Sequence, residues 1–134
     1  MSEKTMEFIL PVRVYYEDTD AGGVVYHSNY LNFMERARTE WLRELGFEQD
    51  QLRDEMGVVF AVRSMDIAFL KPARFNDEVT VSASVKQYGK ASLVFDQTVE
   101  RGEACLSRAT VKVACIDIER FKPTAIPEAI LSKL

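Results

Sequence analysis

Five side chains able to carry or pass a proton, Tyr16, Glu17, Asp18, Asp20 and His27, fall within a twelve-residue stretch, and Gly22 and Gly23 lie among them. Cleavage of an activated acyl group needs a group that attacks or activates water, and donors for the oxyanion that develops. The amides at a helix start supply oriented N–H groups at a positive dipole end. A carboxylate held by a glycine turn beside such a helix start would complete a minimal site. The same residues also suit a plain tight turn, because Asp and Gly favour turn conformations for local reasons. Spacing alone does not choose between Asp18 and Asp20, nor does it give His27 a role.

Other machinery is excluded by what is missing. The sequence has one histidine and two cysteines, no Gly-x-Ser-x-Gly elbow, no phosphate loop, no dinucleotide fingerprint and no paired-cysteine zinc pattern. Asp18, Asp20 and Gly23 match positions one, three and six of a calcium loop. Position five is then Gly22 and position twelve is Asn29, neither a bidentate acid. No metal and no cofactor are expected. A net charge of −4 argues against bulk attraction to nucleic acid or anionic lipid. No apolar run approaches the roughly 20 residues of a membrane span. Residues 1–10 carry Glu3 and Glu7 and do not read as a signal peptide, so the expected location is cytoplasmic.

The elements that must position these groups follow from periodicity. Residues 7–16 alternate as a strand with one apolar face, and Pro11 puts it near an edge. Ser28 or Asn29 can cap a helix that Gly46 ends. Tyr30, Met34, Ala37, Trp41 and Leu45, flanked by Leu31, Phe33 and Leu42, form a stripe wider than a surface helix shows. Arg38 falls inside that stripe, either with its stem along the core or in an intersubunit ion pair. Residues 47–56 are poorly patterned. Residues 57–70, then alternating segments around 79–86, 93–99 and 109–115, read as four long strands joined by hairpin-like turns, with turns at Tyr88-Gly89-Lys90 and Arg101-Gly102-Glu103. Pro127 suits the start of a short closing helix.

Cys105 and Cys115 fall on one strand and, by alternation, on one face. Ten residues at about 3.3 Å separate them by roughly 33 Å, beyond the approximately 7 Å limit of a disulfide. Both read as small buried apolar residues. The whole, residues 1–134, is expected to be one α+β domain, a curved antiparallel sheet wrapped around one long helix.

The run Pro11-Val12-Arg13-Val14-Tyr15-Tyr16-Glu17-Asp18-Thr19-Asp20-Ala21-Gly22-Gly23-Val24-Val25-Tyr26-His27, with Asn29-Tyr30 and Glu35-Arg36-Ala37-Arg38-Thr39-Glu40 after it, closely resembles the 4-hydroxybenzoyl-CoA thioesterase family of hotdog-fold proteins. Within that family it is most similar to the Tol–Pal-associated acyl-CoA thioesterase subgroup (YbgC-like). Further likeness lies at Lys71-Pro72-Ala73-Arg74 and over residues 111–117. The resemblance implies the hotdog fold and hydrolysis of an acyl-CoA, with acyl carrier protein as an alternative donor. It implies Asp20 as the catalytic carboxylate, His27 with its backbone N–H beside the thioester carbonyl, and Tyr16 near the carboxylate. Val25 and Tyr26 would line the substrate, with Arg63, Lys90 and Ser92 as weaker candidates for contacts to coenzyme A. It also implies a homodimer or homotetramer with the site between subunits. Rival readings are an acyl-thioester hydratase or dehydratase, and a binding module that holds acyl thioesters without turnover.

Overall fold

The computed structural model describes residues 7–134, so residues 1–6, part of the segment read against a signal peptide, lie outside the described residues. Five strands form one antiparallel sheet in the order β1-β3-β4-β5-β2: Phe8–Arg13 (β1), Val58–Phe69 (β2), Glu78–Tyr88 (β3), Ser92–Arg101 (β4) and Ala104–Asp117 (β5). A two-residue strand, Lys122–Pro123 (β6), pairs with the end of β5. One long helix, His27–Glu44 (α1), lies on the concave face, followed by a helical turn, Gln49–Gln51 (α2), that widens into a π-turn over Leu52–Met56. Glu128–Leu131 (α3) closes the chain after Pro127.

The core is where the two periodicities meet. Val79, Val81, Ala83 and Val85 of β3 and Ala109, Val111, Val113 and Cys115 of β5 point inward with period two. From α1, Tyr30, Phe33, Met34, Ala37, Trp41 and Leu42 pack against them. Each fully buried side chain of this size is worth about 1.5–3 kcal/mol of transfer free energy. Leu45 is half-buried and Leu31 is exposed, so the stripe is narrower at its ends than the spacing predicts. Gly46, at φ +101°, ends the helix as expected.

A buried glutamine ties helix to sheet. Gln97 of β4 donates through Nε2 to the carbonyls of Met34 (3.0 Å) and Ser82 (3.1 Å), and its Oε1 accepts from Arg38 Nη1 at 2.8 Å. Arg38 is therefore answered within its own chain. Burial lowers its pKa from the ordinary guanidinium value, against the opposing pull of Glu35.

Three expectations are corrected. β1 is shorter than residues 7–16, because Tyr16–Asp18 turns into a 3-10 helix. The four long strands are not all hairpin neighbours: β2 pairs with β5, and residues 70–77 carry the chain across the sheet to β3. On β5 the register shifts against β4 between Val99 and Glu100, interrupting the alternation between Cys105 and Ser107. Leu106 takes the core position, Cys105 is half-buried, and Cys115 is buried with its thiol pushed up to about 11.

Candidate active site

The acidic stretch folds into two nested turns with different duties for its two aspartates. Asp18 is buried, its Oδ2 accepts from the Tyr15 amide (2.9 Å), and its carbonyl accepts from the Tyr26 amide (3.1 Å) and from Asn29 Nδ2 (2.8 Å). It ties the strand end to the helix start. Asn29 thus clamps this carbonyl, and the helix opens at His27, three residues earlier than an Asn29 cap requires.

Asp20 sits at the exposed corner. The Asp20 amide donates to the Val24 carbonyl (2.9 Å), the Gly23 amide to the Asp20 carbonyl (3.0 Å), and the Gly22 amide to Asp20 Oδ1 (2.8 Å). Gly23 at φ +81° adopts the left-handed conformation that lets the loop close. The second carboxylate oxygen has no protein partner among the described residues. The chain then doubles back, with Thr19 opposite Val25, and enters α1 through Tyr26.

The crossing segment, residues 70–77, holds this loop in place. The Val25 amide donates to the Ala73 carbonyl at 2.8 Å, and Val24 bridges Arg74. The Ala73 amide in turn donates to the buried Tyr30 hydroxyl of α1 at 2.9 Å. Asp77 accepts from the Arg74 amide (2.9 Å) and from Arg101 Nη1 (2.7 Å). Burial pushes the Asp77 carboxyl up, but the Arg74 amide and the Arg101 guanidinium outweigh it and hold the group below its usual value.

At the helix start, the amides of His27 and Ser28 find no acceptor among the described residues, as first-turn amides do. The exposed His27 ring lies on Phe69, the last residue of β2, with centroids 4.6 Å apart. Phe69 also meets Tyr30 edge-on at 5.4 Å. Tyr16 is 80% exposed and its ring packs edge-on against Phe75. Chemically, an accessible carboxylate stands in a glycine-closed hairpin whose far strand leads into free helix-start amides and an imidazole.

Asp20, Tyr26 and His27 therefore share one short hairpin, and Tyr16 lies just before it. Val25 points its side chain into the core, leaving only its backbone for a ligand. Arg63 is the extra residue of a bulge in β2, about 20 Å along the strand from Phe69. Lys90 and Ser92 belong to the β3–β4 hairpin, where Ser92 faces Ala114, at the other end of β5 from Ser107 and Phe69. One chain does not bring these three to its own helix start. Tyr30 was read only as part of the helix stripe and of the Asn29-Tyr30 likeness, and Phe69, Phe75 and the Arg101–Asp77 pair were not singled out from the sequence. The Lys71-Pro72-Ala73-Arg74 likeness is the signal that marked the segment of Phe75 and Asp77.

Among the described residues no three His, Cys, Asp or Glu side chains gather as a metal site, and no helix is long and apolar enough to cross a membrane. The family model of the thioesterase superfamily matches residues 22–105, which begins just after Asp20. Similarity to individual relatives runs through Asp20. An acyl-CoA thioesterase YbgC of Haemophilus influenzae is 48% identical over 123 residues, covering 92% of this chain and 90% of that one. An acyl-CoA thioester hydrolase YbgC of Escherichia coli O6:H1 is 45% identical over 130 residues, covering 96% of both chains. The crystal structure of a hypothetical protein of Aquifex aeolicus superposes with a TM-score of 0.88 at 30% identity, over 95% of this chain and 98% of that one. The curved sheet around α1 is the hotdog fold, and by fold and by sequence the chain belongs to the thioesterase superfamily.

Proposed function

We propose that the protein hydrolyses acyl-coenzyme A thioesters to coenzyme A and a carboxylic acid. The observation that carries this reading is Asp20. It is an exposed carboxylate with one free oxygen, fixed by the Gly22 amide in a hairpin that leads into the start of α1. Water adds to the thioester carbonyl, the C–S bond breaks, and the thiolate leaves as the protonated thiol. Asp20 either takes the proton from that water or attacks the carbonyl itself and is then released by water; both routes give the same products. The His27 and Ser28 amides, with the His27 imidazole, steady the oxyanion. Tyr16 borders the carboxylate, and Tyr26 flanks the acyl thioester.

The active unit is a homodimer or a homotetramer. β2 is an edge strand of twelve residues whose outer side is unpaired among the described residues, and Val62, Phe69 and Met56 stand exposed along or beside it. Such an edge calls for cover. A two-fold copy pairing there runs antiparallel, which lets Arg63, Lys90 and Ser92 of one subunit approach the helix start of the other and meet the coenzyme A arm.

Purified protein should release thiol from a panel of acyl-CoA chain lengths and acyl carrier protein conjugates, read with a thiol reagent. Tight binding without thiol release would replace hydrolysis with the binding reading. Sedimentation showing only a 15.3 kDa species at micromolar concentration would remove the shared site.

A further inference from the structure

The chain has one histidine, and its imidazole lies exposed at the start of α1. The side-chain hydrogen bonds of this helix start belong to Asn29, which donates to the Asp18 carbonyl, and to Asn32, which donates to Asn29 at 3.2 Å. Neither ring nitrogen of His27 has a partner among the described residues. An exposed side chain left to itself turns among its rotamers within picoseconds to nanoseconds, and χ2 of histidine is broad rather than confined to narrow wells. A group that must meet a developing oxyanion needs a defined direction. A carboxylate or carbonyl on the far nitrogen is one way to give it, and the described residues place none there.

What the ring does touch is aromatic. Its centroid lies 4.6 Å from that of Phe69, at an interplanar angle of 43°, and 6.0 Å from that of Tyr26. Aromatic pairs attract at about 4.5–7 Å. The Phe69 contact is the one with a fixed base. Phe69 is paired with Ser107 of β5, Ser107 Oγ donates to the Ala68 carbonyl at 2.8 Å, and the next two amides, Leu70 and Lys71, both donate to the Leu106 carbonyl. Its ring meets Tyr30 edge-on at 5.4 Å, and Tyr30 is buried with its hydroxyl held by the Ala73 amide. Phe69 itself is 44% exposed, so burial of its own surface is not what this ring chiefly supplies.

We propose that Phe69 is a positioning residue that aims the His27 imidazole at the thioester carbonyl, with Tyr30 behind it as the rigid support. A phenyl ring has no polar atom, so it orients the imidazole through contact alone and engages neither nitrogen. One imidazole N–H therefore stays available to the oxyanion, beside the His27 and Ser28 amides. This inference rests on the hydrolysis proposed above and adds the residue through which the sheet sets the direction of His27.

The test compares Phe69→Leu, which keeps an apolar side chain but removes the ring, with Phe69→Tyr, which keeps the ring. Misplacing a catalytic group by about 1 Å can cost about 10²-fold in rate. A ring set loose rather than removed should lose about tenfold in kcat on a good acyl-CoA, less than His27→Ala loses, with KM changed by no more than about twofold. Phe69→Tyr should keep the wild-type rate, and Phe69→Met, measured alongside, should match Phe69→Leu. In a His27→Ala background Phe69→Leu should cost no more than about twofold, since its effect runs through the missing ring. A single histidine also gives imidazole proton signals that need no sorting in an NMR spectrum. In ligand-free protein these signals should move toward those of a free imidazole in Phe69→Leu and stay in place in Phe69→Tyr. Imidazole signals unchanged in Phe69→Leu overturn the inference, and so does an equal cost of Phe69→Leu with and without His27. A His27→Ala protein with wild-type turnover overturns it as well. Those results leave hydrolysis standing, whereas a wild-type protein that releases thiol from no acyl-CoA removes hydrolysis and this inference together.

Discussion

Replacing Asp20 with asparagine separates chemistry from folding, because the structure gives this side chain so little to hold. The one hydrogen bond of its side chain among the described residues is the acceptance by Oδ1 of the Gly22 amide at 2.8 Å, on an exposed corner. The carbonyl oxygen of asparagine can accept the same bond, so stability should shift by no more than about 0.5 kcal/mol, as at an ordinary surface site. Activity should behave otherwise. Loss of general-base help costs about 10² to 10⁴-fold, equivalent to about 2.7–5.4 kcal/mol of barrier at 1.36 kcal/mol per tenfold. Asp18→Asn should show the reverse pattern. Its buried carboxylate receives the Tyr15 amide and anchors the strand end, so about 1 kcal/mol of stability should go while turnover per folded molecule changes little. His27→Ala should fall between them in rate, since the helix-start amides remain. The assay is kcat/KM on one good acyl-CoA by thiol release, with thermal melts of all three variants. A folded Asp20→Asn protein that keeps turnover within tenfold of wild type refutes the assignment. The helix carboxylates Glu35 and Glu40 would then be the candidates, Glu40 the weaker because Arg43 already pairs with it.

Tyr30→Phe removes the acceptor of the Ala73 amide and leaves a buried N–H unpaired, so about 1–3 kcal/mol of stability should be lost in urea unfolding. Since Ala73 also receives Val25, kcat should fall while KM changes little; unaltered stability would show the bond to be dispensable. The Asp77 carboxyl is held below its usual value, so its contribution is complete above the ordinary value of 3.8 and is lost as pH falls through the lower folded one. Arg101→Met should therefore weaken the wild-type protein's excess stability at pH 6 over pH 3, and equal pH dependence of the two proteins would contradict the pairing. With its thiol raised to about 11, Cys115 stays protonated at pH 8 and should label only at the rate of global unfolding, as peptide mapping of alkylated protein would show.

Much of this architecture can be read from alternation and helical spacing, because burial imposes both. The inward residues of β3 and β5 and the face of α1 are where period two and period 3.6 place them. Partner choice is not written locally. β2 has the same apolar, β-branched character as its sequence neighbour β3, yet it pairs with β5, because residues 70–77 leave the sheet to brace the Asp20 hairpin instead of turning back. The register shift beside Cys105 is equally silent, since one extra residue in a ladder leaves every composition signal intact. Gln97 is the instructive intermediate. It stands between Phe95 and Val99, both core residues, so alternation alone sends a polar side chain inward and demands partners for it. What no single strand could reveal is that those partners are a helix carbonyl, a neighbouring strand's carbonyl and Arg38, three groups that meet only once the sheet has curved around α1. The proposed site residues divide in the same way. Asp20 and His27 are close in sequence because one hairpin carries them, and that hairpin is legible. Arg63, Lys90 and Ser92 lie at the far end of the same strands, and only the antiparallel pairing of two chains proposed above would return them to the carboxylate. Residues that one chain leaves apart are legible as candidates in its sequence but not as a site, because no local pattern encodes how two copies would meet.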